Sequence, residues 1–313
     1  ACSQNKIEEK SFINLGGEIQ YVEITGESTD NPVLLFIHGG PGWPQTPQLR
    51  YQNAALTKKF ILATWDQRGS GKSFINNPQA KNVSLAQIVT DAHELTVLLK
   101  EKFHKNKILL AGFSWGSIVG LTLAEKYPQD YAAYIGISQV INIHEGLTVT
   151  QNWISKQAKK NNDTATLHIL AQLKSNDTTL CKTPLDCFLN QYGLVSKYKG
   201  AVFNPASEQE INKAMQEYED YKNYDWTQGF LYSATRLEND MFSTNFNSVQ
   251  NIKIPVYLIA GRHDWNVPQV LADAWIKKLD APHKEIIWFE NSGHGPLEEE
   301  PKKFNEVLIE KFK

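Results

Sequence analysis

The chain has 313 residues, 41% of them hydrophobic and 21% charged, the balance of an ordinary globular protein rather than a disordered or coiled-coil one. The formal net charge of -2, with no stripe of Lys or Arg, excludes an electrostatic footprint for nucleic acid or an anionic membrane surface. No apolar run is long enough to cross a bilayer.

Taken in order, residues 11 to 25 read as two short strands around Gly16-Gly17, an N-terminal hairpin. Val33-Leu34-Leu35-Phe36-Ile37 is an all-apolar run of the kind that lies buried on both faces of a parallel sheet. It stops at His38-Gly39-Gly40-Pro41-Gly42, a loop. Residues 60 to 65 make another strand, which runs into Asp66-Gln67-Arg68-Gly69-Ser70-Gly71. Ser84 caps a helix to about Lys102, with Leu85, Ile88, Val89, Ala92, Leu95 and Leu99 at helical spacing. Strand 108 to 111, turn 112 to 116, helix 118 to 126 and strand 134 to 137 follow. This alternation implies a parallel sheet with helices on both faces. From about 142 the pattern becomes polar, aromatic and helical, without buried-strand runs, until strand 256 to 260, helix 267 to 279, strand 285 to 289 and helix 299 to 312. The expected organisation is therefore a core of residues 1 to 141 and 251 to 313, with a helical cap of residues 142 to 250 over the carboxyl edge of the sheet.

Gly112-Phe113-Ser114-Trp115-Gly116 fits the Gly-x-Ser-x-Gly elbow, in which a serine sits on a sharp strand-to-helix turn. The glycines spare that turn bulky neighbours, and the following helix aims N–H groups at a developing oxyanion. The pentapeptide occurs by chance, but here an apolar strand precedes it and a helix follows. A serine hydroxyl needs a neutral imidazole to take its proton, and the imidazole needs a carboxylate to fix its tautomer. The order Ser, Asp, His places these at Asp264, after strand 256 to 260, and His294, after strand 285 to 289. His263 shares a loop with Asp264 and reads as structural or as a pocket wall. His38 reads as a hydrogen-bonding structural residue and His93 as a helix-face residue, while His104, His144, His168 and His283 lack a partner pattern. The glycine loop supplies the second oxyanion donor, so the backbone N–H groups of Gly40 and Trp115 are the expected pair. The fold expected from these parts is the α/β-hydrolase fold, a mostly parallel doubly wound sheet with an inserted helical cap. No metal-ligand spacing occurs, and no cofactor is expected.

His38-Gly39-Gly40-Pro41-Gly42, Trp65-Asp66-Gln67-Arg68-Gly69-Ser70-Gly71-Lys72-Ser73 and Ser114-Trp115-Gly116-Ser117 together resemble the prolyl iminopeptidases, serine peptidases of this fold. The resemblance implies release of an N-terminal residue, usually proline, from short peptides, without a cofactor. It also implies cap glutamates that hold the substrate's free ammonium. Ala234-Thr235-Arg236-Leu237-Glu238-Asn239 resembles the family's Ala-Arg-Ile-Glu-Asn segment and nominates Glu238. Lys213-Ala214-Met215-Gln216-Glu217-Tyr218-Glu219 is a looser match to Lys-Ala-Trp-Ser-x-Trp-Glu, with Met and Tyr for both Trp, and nominates Glu219. Phe113 also departs from the glycine that the family often carries. The expected partner is a small peptide or amino-acid derivative. Two rivals remain: a carboxylesterase, lactonase or amidase that uses the same machinery on an uncharged acyl group, and a non-catalytic binding protein.

Three cysteines are present. Cys181 and Cys187 can close a disulfide around Pro184, which would imply an oxidising compartment, or can remain reduced thiols. Cys2 resembles the lipidated residue of a bacterial lipoprotein. The expectation is an exported, lipid-anchored protein; the alternative is an unmodified Cys2 in a cytoplasmic one.

Overall fold

A computed structural model describes residues 6–313; Cys2, on which the lipid-anchor expectation falls, lies outside the described residues. Eight strands form one sheet in the order β1-β2-β4-β3-β5-β6-β7-β8. The strands are β1 (Ile7–Leu15), β2 (Glu18–Gly26), β3 (Val33–Ile37), β4 (Ile61–Asp66), β5 (Ile108–Phe113), β6 (Tyr131–Ile137), β7 (Val256–Gly261) and β8 (Lys284–Phe289). The β1–β2 hairpin joins antiparallel to β4, and every pairing from β4 onward is parallel. This is the doubly wound α/β-hydrolase arrangement.

Four helices precede β6: α1 (Thr46–Gln52), α2 (Gly71–Asn76), α3 (Leu85–Lys102) and α4 (Trp115–Lys126). Six lie between β6 and β7: α5 (Ile143–Lys160), α6 (Thr164–Lys174), α7 (Pro184–Lys197), α8 (Pro205–Glu217), α9 (Trp226–Arg236) and α10 (Glu238–Phe242). The last three are α11 (Val270–Lys278), α12 (Pro296–Glu299) and α13 (Pro301–Phe312).

The alternation of β3 shows how the layers form. Val33, Leu35 and Ile37 face the core that carries the apolar stripes of α3 and α4. Leu34 and Phe36 pack on the other side with Leu49 of α1 and with Phe304 and Leu308 of α13. All five residues are buried, as a strand covered on both faces requires. Parallel strands joined by helical crossovers end on one edge of the sheet, and β5, β7 and β8 deliver the loops of Ser114, Asp264 and His294 there.

The segment between β6 and β7 has a small core of its own around Ile154, Leu170, Leu173, Leu194 and Val195. Cys181 and Cys187 are bonded to each other at the entry to α7, with their Cα atoms 4.5 Å apart. Polar contacts moor this segment to the sheet edge. Tyr221 Oη donates to the Asp66 carboxylate, lying 2.9 and 2.8 Å from its two oxygens. Asp220 pairs with Arg50 at 2.9 Å and also with Lys72.

Beneath the hairpin, Arg68 and Asp91 form a fully buried ion pair at 2.8 Å, with side chains 1% and 0% exposed. Removing the guanidinium would strand the carboxylate in the interior. We therefore expect Arg68→Ala to cost about 3–5 kcal/mol in urea unfolding. A loss below about 1 kcal/mol would show that the pair is not needed for folding.

Candidate active site

Ser114 joins β5 to α4 at φ 51° and ψ -117°, a backbone conformation strained for a residue with a side chain. Close packing holds it there. A Cβ added at Gly112 would stand 2.3 Å from the Gly116 carbonyl oxygen, and one at Gly116 2.2 Å from that of Ile37. No side chain fits either place, so the two glycines let the elbow press against the end of β3. Ser114 N donates to Ile137 O at 2.9 Å, and Ser117 Oγ donates to Ser114 O at 2.6 Å.

His294 Nε2 lies 2.9 Å from Ser114 Oγ, and His294 Nδ1 lies 3.0 Å from Asp264 Oδ2. The backbone N–H groups of Asn266 and Val267 donate to Asp264 Oδ1 at 3.0 and 2.8 Å. With its other oxygen turned to Nδ1, Asp264 favours the tautomer whose Nε2 accepts the serine proton. The base is held from both sides, since His294 N donates to Ala201 O at 2.7 Å and Ser138 Oγ donates to His294 O at 2.6 Å. Burial disfavours protonation of His294. The adjacent Asp264 carboxylate, aided by Glu298 and Glu299, outweighs this and raises its pKa above 6.5.

The two expected oxyanion donors flank the serine. Gly39 N is taken by Gln45 Oε1 at 2.7 Å, whereas the N–H groups of Gly40 and Trp115 have no protein acceptor among the described residues. Both residues line the cavity above Ser114. A side chain within the motif at residues 65 to 73, given no role of its own by the sequence, ties the two loops together. Gln67 accepts from Trp115 Nε1 at 3.0 Å and donates through Nε2 to His38 O at 3.0 Å. His38 Nε2 in turn accepts from Gln67 N at 3.1 Å, and burial pushes its pKa down to about 4, so the ring is neutral. His38 is thus a loop-holding residue. His263 stacks on Phe203 with ring centroids 3.5 Å apart, and His93 lies 3.0 Å from Asp130.

The cavity has a volume of about 420 Å³ and is walled by apolar side chains from both parts of the chain, including Ile118, Val140, Leu147, Phe188, Phe230 and Phe242. Neither nominated cap glutamate reaches it. Glu238 turns away, and its Oε1 accepts the Leu185 N–H at 2.8 Å, capping the first turn of α7. Glu219 lies in a short 3-10 turn, 82% exposed and paired with Lys222. The expectation that Glu219 faces the substrate is corrected accordingly: its turn directs it to solvent. The carboxylates that do line the cavity are Glu298 and Glu299, just beyond the base. Among the described residues, no group of three or more His, Cys, Asp or Glu side chains is placed to hold a metal ion.

Residues 50–301 match the family described as serine aminopeptidase, S33. The chain belongs to that family. Over 302 residues it is 30% identical to a probable aminopeptidase of Bacillus subtilis strain 168, covering 95% of this chain and 93% of the relative. A shorter stretch of 112 residues, 36% of this chain and 37% of the relative, is 34% identical to a proline iminopeptidase of Lactobacillus delbrueckii subsp. lactis. Among solved structures, a proline iminopeptidase-related protein of Thermus thermophilus superposes with a TM-score of 0.63 at 20% identity, covering 97% of this chain and 96% of that one. At that identity the likeness shows the fold. The S33 chain is a hydrolase of the α/β-hydrolase fold.

If Ser114 and His294 act as one unit, Ser114→Ala and His294→Ala should each lower kcat by about 10⁵–10⁶-fold, and Asp264→Asn by about 10⁴-fold. A Ser114→Ala protein with near-full activity would contradict the arrangement. Only the unprotonated imidazole can take the serine proton, and Asp264 favours the protonated form. The acid limb of kcat/KM should therefore fall above pH 6.5. A pH–rate profile with its acid limb well below that value would show that His294 is not the titrating base.

Proposed function

We propose that this chain is a serine aminopeptidase that releases an N-terminal residue, preferably proline, from short peptides through an acyl-enzyme. The observation that carries this reading is the 2.9 Å contact between Ser114 Oγ and His294 Nε2 at a cavity roofed by the helical segment. Ser114 Oγ attacks the carbonyl carbon of the first residue while its proton passes to His294 Nε2. The N–H groups of Gly40 and Trp115 stabilise the oxyanion, and Asp264 stabilises the imidazolium. The C–N bond then breaks as His294 protonates the leaving amine. Water, deprotonated by His294, hydrolyses the ester and frees the residue.

Proline preference is supported by the motifs shared with prolyl iminopeptidases and by an apolar cavity of about 420 Å³, which suits a compact ring. A second reading, an esterase for uncharged acyl groups, is favoured by one observation: neither Glu238 nor Glu219 lines the cavity. The two readings separate on four substrates, each measured as kcat/KM: the p-nitroanilides of proline, N-acetylproline and alanine, and p-nitrophenyl butyrate. The proposal expects proline to exceed alanine and to exceed its acetylated form by at least about tenfold. Indifference to the amino group, with fast ester cleavage, would replace the proposal by the esterase reading.

We also propose that the chain works in an oxidising compartment, a reading supported by the Cys181–Cys187 bond on a half-exposed part of the surface. Alkylation of unreduced native protein, read by peptide mass, should leave both cysteines unlabelled. Labelling of both would overturn the proposal.

A further inference from the structure

Three glutamates follow the base in the run His294-Gly295-Pro296-Leu297-Glu298-Glu299-Glu300. Two of them are engaged by donors from the protein. Glu299 accepts from Gly293 N at 2.8 Å, Phe203 N at 2.8 Å and Asn204 N at 3.1 Å. Glu300 accepts from Asn291 N at 3.0 Å and Ser292 Oγ at 2.8 Å. The Glu298 carboxylate also lines the cavity, but among the described residues it accepts no hydrogen bond and pairs with no Lys or Arg; the charge it faces is that of a protonated His294. Among the described residues, no Lys or Arg lines that cavity.

Its position is defined by its neighbour. A Cβ built on Gly295 would stand 2.5 Å from Glu298 Oε2, so the carboxylate lies against the residue directly after His294. The absence of a side chain at Gly295 opens the space it occupies. A carboxyl group without a hydrogen-bond partner in a cavity lined mainly by apolar side chains is costly unless a ligand brings the missing charge or donors. A positively charged group in the substrate is the complement that satisfies it. In an aminopeptidase substrate the α-ammonium is one bond from the Cα next to the attacked carbonyl, so a carboxylate beside the base is near where that ammonium must sit.

We propose that Glu298 is the anchor for the substrate's free α-ammonium, the role that the sequence resemblance assigned to glutamates of the cap. This inference rests on the aminopeptidase reading above and names the residue that makes the site select a free amine. Burial pushes the Glu298 pKa up to about 7, and an arriving ammonium would favour its ionised form. The anchor adjoins the catalytic loop. The base and the amine anchor thus lie on one stretch of chain.

The test compares wild type, Glu298→Gln and Glu238→Gln on prolyl p-nitroanilide and p-nitrophenyl butyrate at one pH. The readout is the ratio of the two kcat/KM values, in which any change in the basicity of His294 largely cancels. Glu298→Gln should lower the ratio by about thirtyfold or more, mainly through KM for the free amine, because a charge-assisted contact is lost. Glu238→Gln should leave the ratio within about threefold, because Glu238 caps α7. Glu298→Asp should restore part of the ratio, which a merely structural role would not do. If the wild type cleaves the free amine well and Glu298→Gln leaves the ratio unchanged, Glu298 is not the anchor and the aminopeptidase reading stands. If the wild type prefers the ester and ignores the amine, the aminopeptidase reading falls and the anchor with it.

Discussion

The contact between the elbow and the end of β3 is the constraint on which the site depends. Ser114 is held at φ 51°, at a cost of about 1–3 kcal/mol, because Gly112 and Gly116 allow the start of α4 to press on the Ile37 carbonyl. That geometry places Ser114 and Trp115 at the cavity, where the Trp115 N–H has no protein acceptor among the described residues. The sheet compensates for the strain: β5 is flanked by β3 and β6, and every residue of all three except Ala132 is buried.

Around this point the residues at the end of β4 and just after it act as a brace. Gln67 joins the oxyanion loop to Trp115, Arg68 neutralises Asp91 beneath the hairpin, and Asp66 receives Tyr221 from the helical segment. Three consecutive side chains thus fix the oxyanion loop, the core and the roof of the cavity. Burial, eased by the donors of Lys72 and Tyr221, pushes the Asp66 pKa up to about 7, so its ordered partners matter more than they would at the surface. The motif Asp66-Gln67-Arg68-Gly69 serves the site through position, without its side chains lining the cavity.

Much of this is legible in the sequence because it follows from periodicity and chain order. Residues 33 to 37 and 108 to 111 read as strands from their all-apolar runs, and the structure extends the second to Phe113. Ser114, Asp264 and His294 follow from their places after strands, and the structure brings them within 3.0 Å contacts. The short helices α1 and α2 are not legible. Each has fewer than eight residues, and each is held by the loops around it rather than by an amphipathic stripe. Segment similarity also cannot set side-chain direction, because one residue along a helix is a turn of about 100°. Glu238 occupies the expected stretch yet points at the start of α7, and Glu219 sits on a turn rather than a helix face. Glu298 escapes a search for glutamates confined to the middle of the chain. The signal available is an acidic run on a short Pro-started helix directly after the base.

The central claim is that Ser114 is a nucleophile activated by His294, and fluorophosphonate labelling of the intact protein tests it most directly. Phosphonylation forms a bond from phosphorus to Ser114 Oγ and expels fluoride. The account predicts one adduct per chain, on the peptide carrying Ser114, and a labelling rate that falls as His294 becomes protonated. No adduct, or an adduct elsewhere with Ser114 unmodified, would contradict it.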